Sequence, residues 1–331
     1  MPRRLRPFTV HARRSLLGVA LAGFLVAAAS GCAADTATAD GAQVGSSSSQ
    51  GSSGQPGVAG GSLRIVASTS VYGDIAESIG GDRVSVTSII DNPDKDPHEY
   101  QATGQNALAL SKASIVIENG GGYDDFIDSM LSTAKKPGAI VVNAATISGY
   151  DQHPADGSFN EHLWYDFATV SKVADELAGA LTTEDPRGAA FYQANALDFS
   201  QKLDALTARE KQLQSLYAGT GVAITEPVAL YLLDAVGLVD KTPAKFSEAV
   251  ENGTDVAPDV LSQTIAPFAD HRVAALVYNS QTTGAQTDAV LGAAHAASVP
   301  VVAVTESLPA GQSYLGWMTD NLAALGAALS Q

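Results

Sequence analysis

The sequence predicts an α/β protein of two lobes, each a parallel sheet flanked by helices, joined by one long helix. Three observations carry this. Past residue 61, short β-branched runs alternate with stretches of helical spacing, the pattern of parallel sheets covered on both faces. Between Ala189 and Ala218 there is neither glycine nor proline. Strand candidates fall on both sides of that stretch, so it separates two α/β halves.

The elements follow in order. Residues 1–31 read as an export leader: Arg3, Arg4, Arg6, Arg13 and Arg14 precede an uncharged run from Leu16 to Ala29, too short to span a bilayer. The run ends in Ala29-Ser30-Gly31-Cys32, small residues before the sole cysteine, which is similar to the lipobox of bacterial prolipoproteins. Cys32 is therefore the expected lipidation site, and Arg13-Arg14 leaves both the general and the twin-arginine export routes open. Residues 32–61 are the acylated cysteine and a Gly/Ser/Ala/Thr-rich tether with little to bury, reaching roughly 30 Å as a flexible coil.

LRIVAS (63–68) and VSVTSII (84–90) read as strands, with Val71, Ile75, Ala76 and Ile79 at helical spacing between them. NALALSKA (106–113) is helical. SIVIEN (114–119), AIVVNA (139–144), GVAIT (221–225), VAALVYN (273–279) and VPVVAVT (299–305) are further strands. Asp185-Pro186 reads as an N-cap with proline in the first turn. The helix it opens carries an expected apolar stripe through Phe191, Ala194, Leu197, Leu203, Leu206, Leu213 and Leu216. The expected division is a first lobe at 62–185, a connecting helix at 186–218 and a second lobe at 219–331.

The charge bounds the function. The formal net charge of −16 becomes −21 once residues 1–31, with five arginines and no acid, are removed. Such a surface repels nucleic-acid backbones, whose binding needs basic patches that this chain lacks. With one cysteine, internal disulfides are excluded.

Five histidines remain beyond the leader: His98, His153, His162, His271 and His295. His98 lies in DNPDKDPHEYQAT (91–103), a loop directly after a strand, where ligands of open α/β sheets bind. His162 lies in FNEHLWYDF (159–167), just before a helical pattern. Glu226 and Glu306 each follow a strand, in AITEPVALYLLDAVGL and VVAVTESLPAG. Taken singly, each has an ordinary structural explanation: a solvated loop histidine, a packed histidine, a carboxylate at a helix start, a surface acid. Together they place two imidazoles in the first lobe and two carboxylates in the second, a set that would hold Mn, Fe or Zn in a cleft between lobes. His271 and His295 read as structural.

From Leu63 to Leu329 the chain resembles the metal-binding solute-binding lipoproteins of ABC importers, the zinc- and manganese-receptor family. The resemblance rests on DPHEY followed by ASIVIENGGGYDDF, then HLWYD, DPRGAAFYQANALDFSQKLDAL, ITEPVALYLLDAVGL and TESLPAGQSYLGWMTDNLAAL. It implies two α/β lobes on one rigid long helix, with His98, His162, Glu226 and Glu306 in the four ligand positions. It further implies an extracytoplasmic monomer, lipid-anchored to the outer face of the cytoplasmic membrane. That receptor would deliver one divalent cation, Mn2+ or Zn2+, to an ABC permease. Asn160-Glu161 stands where the family often has Asp-Pro, and Phe167 where it often has Pro. Glu306 stands where Asp is usual, and Glu226 where many zinc receptors have His. The His-rich loop of many zinc members is reduced to SGYDQHPADGSFNE (148–161), with His153 a secondary metal feeder. Two histidines with two carboxylates fit a manganese-type site better, while the Irving–Williams order keeps zinc open.

Other classes fare worse. A metallohydrolase would want H-E-x-x-H and an open coordination position, and HEYQA supplies neither; no G-x-S-x-G is present. An adhesin on the same fold has no residue arguing for it. A receptor for a metal chelate would want aromatic and arginine groups, and aromatics are 6% of the chain. The expected protein is a receptor, not an enzyme.

Overall fold

The structure, a computed structural model, describes residues 62–92, 100–134, 138–155 and 159–331. The expectations for the leader, Cys32, the tether and His98 lie outside the described residues.

Two four-stranded parallel sheets form. The first comprises β1 (Leu63–Thr69), β2 (Val84–Ile90), β3 (Ile115–Glu118) and β4 (Ile140–Asn143), in the order β2-β1-β3-β4. The second comprises β5 (Gly221–Ile224), β6 (Val239–Asp240), β7 (Leu276–Asn279) and β8 (Val301–Val304), in the equivalent order β6-β5-β7-β8. In both, the order reverses beside the first strand, between β1 and β3 and between β5 and β7. That switch point opens a crevice beyond the carboxyl ends of the strands.

Alternation along the strands divides the core. Ile65, Ala67, Ile115 and Ile117 of the first sheet and Val222, Ile224, Val277 and Val302 of the second face one shared apolar cluster. Their neighbours face outward: Val66 and Val116 pack in one satellite cluster, Ala223, Leu276 and Tyr278 in another. This is the period-two geometry of strands buried on both faces. The shared cluster is continuous across the molecule through Trp164, Tyr165, Phe199, Leu203, Tyr314 and Trp317.

A 3-10 turn, Pro186–Gly188, leads into the long helix Ala189–Tyr217. Its 29 residues span about 44 Å. Its buried face differs from the expected stripe. Phe191, Leu197 and Leu216 are exposed, and the buried positions are Tyr192, Ala196, Phe199, Leu203, Leu206, Glu210 and Leu213. These repeat by fours and threes, which keeps one helix face, whereas Leu197 lies six residues from both Phe191 and Leu203 and so turns away. Asp185 stands at the N-cap of the 3-10 turn with Pro186 in its first position, as expected, but without a side-chain cap bond; its Oδ2 accepts from Arg83 Nη2 at 2.6 Å and from Tyr192 Oη at 3.0 Å, tying the helix start to the first lobe. Among the described residues, no helix is long and apolar enough to cross a membrane.

Candidate metal centre

The carboxyl ends of both sheets meet at the segment Phe159–Asp166. This segment is held from both sides. Tyr165 Oη donates to Thr305 O at 2.8 Å, Tyr314 Oη to Trp164 O at 2.6 Å, and Tyr231 Oη to Asn160 O at 2.8 Å. On the first-lobe side, Asn119 Nδ2 donates to Glu161 O at 2.9 Å. The turn beyond β3 carries Gly120, Gly121 and Gly122, all at positive φ. A Cβ on Gly120 would lie 2.4 Å from Asn143 Nδ2, and one on Gly121 2.3 Å from Phe159, so only glycine lets the turn pass this closely.

His162 is the centre of the arrangement and fully buried. Its ring stands edge-on to Trp164, with centroids 5.2 Å apart. Asn160 fixes its tautomer. Asn160 Nδ2 donates to Pro227 O at 3.1 Å, which leaves Oδ1 facing His162 Nδ1 at 2.8 Å. An amide oxygen only accepts, so Nδ1 carries the proton and Nε2 offers its lone pair inward when the ring is neutral.

Nε2 faces carboxylates. Glu251 Oε1 is 3.5 Å away and Glu306 Oε2 3.9 Å away. Glu306 follows β8; its Oε1 accepts from Asn279 Nδ2 at 2.9 Å, and Gln281 Oε1 accepts from the Glu306 and Ser307 amides. Glu226 follows β5 in an extended conformation ahead of the turn Pro227–Ala229, and only 5% of it is exposed. Burial, then the nearby charges of Glu251 and Glu306, push its carboxyl to about 8 against hydrogen bonds from Asn279 and Thr282. Carboxylates buried beside an imidazole are the donor types that a divalent transition-metal cation takes.

The structure thus brings together His162, Glu226 and Glu306 of the residues singled out by sequence. His98 lies outside the described residues. His153 stands apart, on the wall of a cavity of about 1000 Å³ that also exposes Glu161 and Glu251. His271 and His295 are exposed. Two acids escaped the sequence reading: the ligand-capable atoms of Glu161, His162 and Glu251 lie within 4.8 Å of one another. Glu251 did leave a trace. It ends the helix Ala244–Glu251, where the helix dipole disfavours an anion.

Comparisons with known proteins bear on the fold and the family. Residues 65–328 match the family model of the zinc-uptake complex component A, periplasmic. The chain is 33% identical over 144 residues to the manganese-binding lipoprotein MntA of Halalkalibacterium halodurans, a match covering 44% of this chain and 47% of that protein. It is 23% identical over 285 residues to the manganese ABC transporter substrate-binding lipoprotein PsaA of Streptococcus anginosus, covering 81% and 90%. In fold it is similar to the periplasmic zinc-binding protein TroA of Treponema pallidum, with a TM-score of 0.69 at 19% identity over 82% of this chain and all of that one. With the family model matched along four-fifths of its length, the chain belongs to the family of the periplasmic component A of zinc-uptake complexes.

Proposed function

We propose that the cleft holds one divalent transition-metal ion, Mn2+ or Zn2+, as cargo, through His98, His162, Glu226 and Glu306. The chain is the extracytoplasmic substrate-binding component of a metal ABC importer, a receptor and not an enzyme, and its partner is the importer's permease. It acts as a monomer, tethered to the outer face of the cytoplasmic membrane by an acylated Cys32 and the linker to residue 61. The 62–185 and 219–331 segments are its two lobes, with 186–218 as the connection.

The observation that supports this best is the approach of Glu251 and Glu306 to the inward-facing Nε2 of His162, with Glu226 buried beside those two acids. His153, on the cavity wall, serves as a secondary feeder. The test is to strip the exported chain of metal, dialyse it against equal buffered Mn2+ and Zn2+, and count bound ions by mass spectrometry. About one ion per chain is expected; a folded protein that retains none would remove the proposal.

A further inference from the structure

Two acids of the cluster, Glu161 and Glu251, also line the cavity, and of these Glu251 approaches His162 Nε2 to 3.5 Å. Glu226 and Glu306 do not line it. The Glu251 side chain is 11% exposed, and its Oε1 lies closer to His162 Nε2 than Glu306 Oε2 does at 3.9 Å. Its position is set by a rigid support. Phe246 and Val250 bury the inner face of its helix, and the amides of Gly253 and Thr254 close the helix end on Val250 O and Ala249 O. Gly253 takes φ +61 there, the left-handed residue that ends a helix.

The cluster is also built for an occupant. Glu226 Oε2, in a residue 5% exposed, accepts no hydrogen bond among the described residues. Burying such an oxygen beside further carboxylates is unfavourable unless a cation completes it.

We infer that Glu251 is a third carboxylate ligand of the cargo ion, the first to meet it from the cavity, and that it biases the site toward Mn2+ over Zn2+. This rests on the receptor reading above. Two imidazoles and two monodentate carboxylates complete a tetrahedron, the geometry zinc prefers. A further carboxylate raises the coordination number and the oxygen content, which suit manganese. Zinc remains the intrinsically tighter ion at any such site, so the effect of Glu251 is to narrow the ratio.

The test is Glu251→Gln in the full exported chain, with affinities for Mn2+ and Zn2+ measured by competition against a chelating dye and His162→Ala as the reference. The expected result is a Mn2+ affinity reduced on the order of tenfold or more, with a Zn2+ loss several-fold smaller. In Co2+-loaded protein, the visible absorption should strengthen in Glu251→Gln as the coordination number falls. The metal-free variant should melt no lower than the parent, because one of several repelling carboxylates is gone, and this shows that it folds. Unchanged affinities, or equal losses for both ions with an unchanged Co2+ spectrum, would overturn the inference while leaving the receptor intact. Failure of the parent chain to bind either ion, or full affinity in His162→Ala, would overturn the receptor reading instead.

Discussion

The two lobes share a strand order and use it in opposite ways. In the first, β3 ends in a carboxylate, Glu118, which accepts from the amide of Asn143 at the end of β4 at 2.8 Å. In the second, the equivalent strand β7 ends in an amide, Asn279, which donates to the carboxylate of Glu306 beyond β8 at 2.9 Å. The same amide–carboxylate pair is thus exchanged between strands. In the first lobe it closes the glycine turn at the cleft floor. In the second it holds one oxygen of Glu306 and turns the other toward His162. The electrostatics follow. Burial, offset by the Asn143 hydrogen bond and reinforced by Asp124, Asp128 and Asp125, pushes Glu118 to about 7, while Glu226 at the head of the second lobe is pushed to about 8. Topology supplies the crevice in both lobes; the pair braces a turn in the first and orients an acid toward His162 in the second.

The sharpest way to break this comparison is to test whether the lobes are energetically separate at all. Phe199 lies on the long helix inside the cluster common to both sheets. Phe199→Ala should cost about 3–5 kcal/mol and lower a single melting transition for both lobes, read by calorimetry. Two resolved transitions, only one of them shifted, would show two independent cores.

The exchanged pair gives the next test. Asn279→Ala should weaken metal binding about tenfold, because it frees the orientation of Glu306. Asn143→Ala should leave affinity within about twofold and lower stability by about 1–2 kcal/mol, because a buried carboxylate loses its donor. Equal effects on affinity would erase the distinction between scaffold and site.

The smallest effect concerns Glu210, buried on the long helix among otherwise apolar positions. Burial, with the Asp166 charge adding to it, pushes its carboxyl to about 7. A carboxyl raised above its unfolded value of about 4.3 binds its proton more tightly when folded. Its contribution is therefore full below about pH 4.3 and is lost as pH rises through 7. Glu210→Gln should melt higher than the parent at pH 8, by about 1–2 kcal/mol, with the difference closing at pH 5. A constant difference across that range would mean that Glu210 ionises freely in the folded protein.

Much of this was legible in the sequence, for physical reasons. LRIVAS announced β1 because a central parallel strand is a near-continuous apolar run, and VSVTSII announced the edge strand β2 by its β-branched residues, while β6, two residues long at Val239–Asp240, carries no such signal. The long helix was legible from the lack of breakers, but its buried face was not. Glu210 and Tyr192 occupy inward positions that hydropathy assigns outward, and Phe191 and Leu197 do the reverse. Glu226 and Glu306 stood out because each follows a buried strand. Glu251 did not, because it reaches the site from a helix end in a segment, SEAVENGT, that reads as solvated surface. Asn160 was visible only as a departure from the resembled family. Its role as the bridge between Pro227 O and His162 Nδ1 needs the two lobes in contact.

The core common to both sheets also bears on how far the lobes could move apart. Prising the lobes apart would bring side chains such as Trp164, Phe199 and Tyr314 into water, at about 4–6 kcal/mol for each large aromatic. A thermally driven clamshell is too costly on such a frame. Under the proposed function, release of the cargo would then proceed by exchange of ligands at the cleft rather than by the lobes springing open.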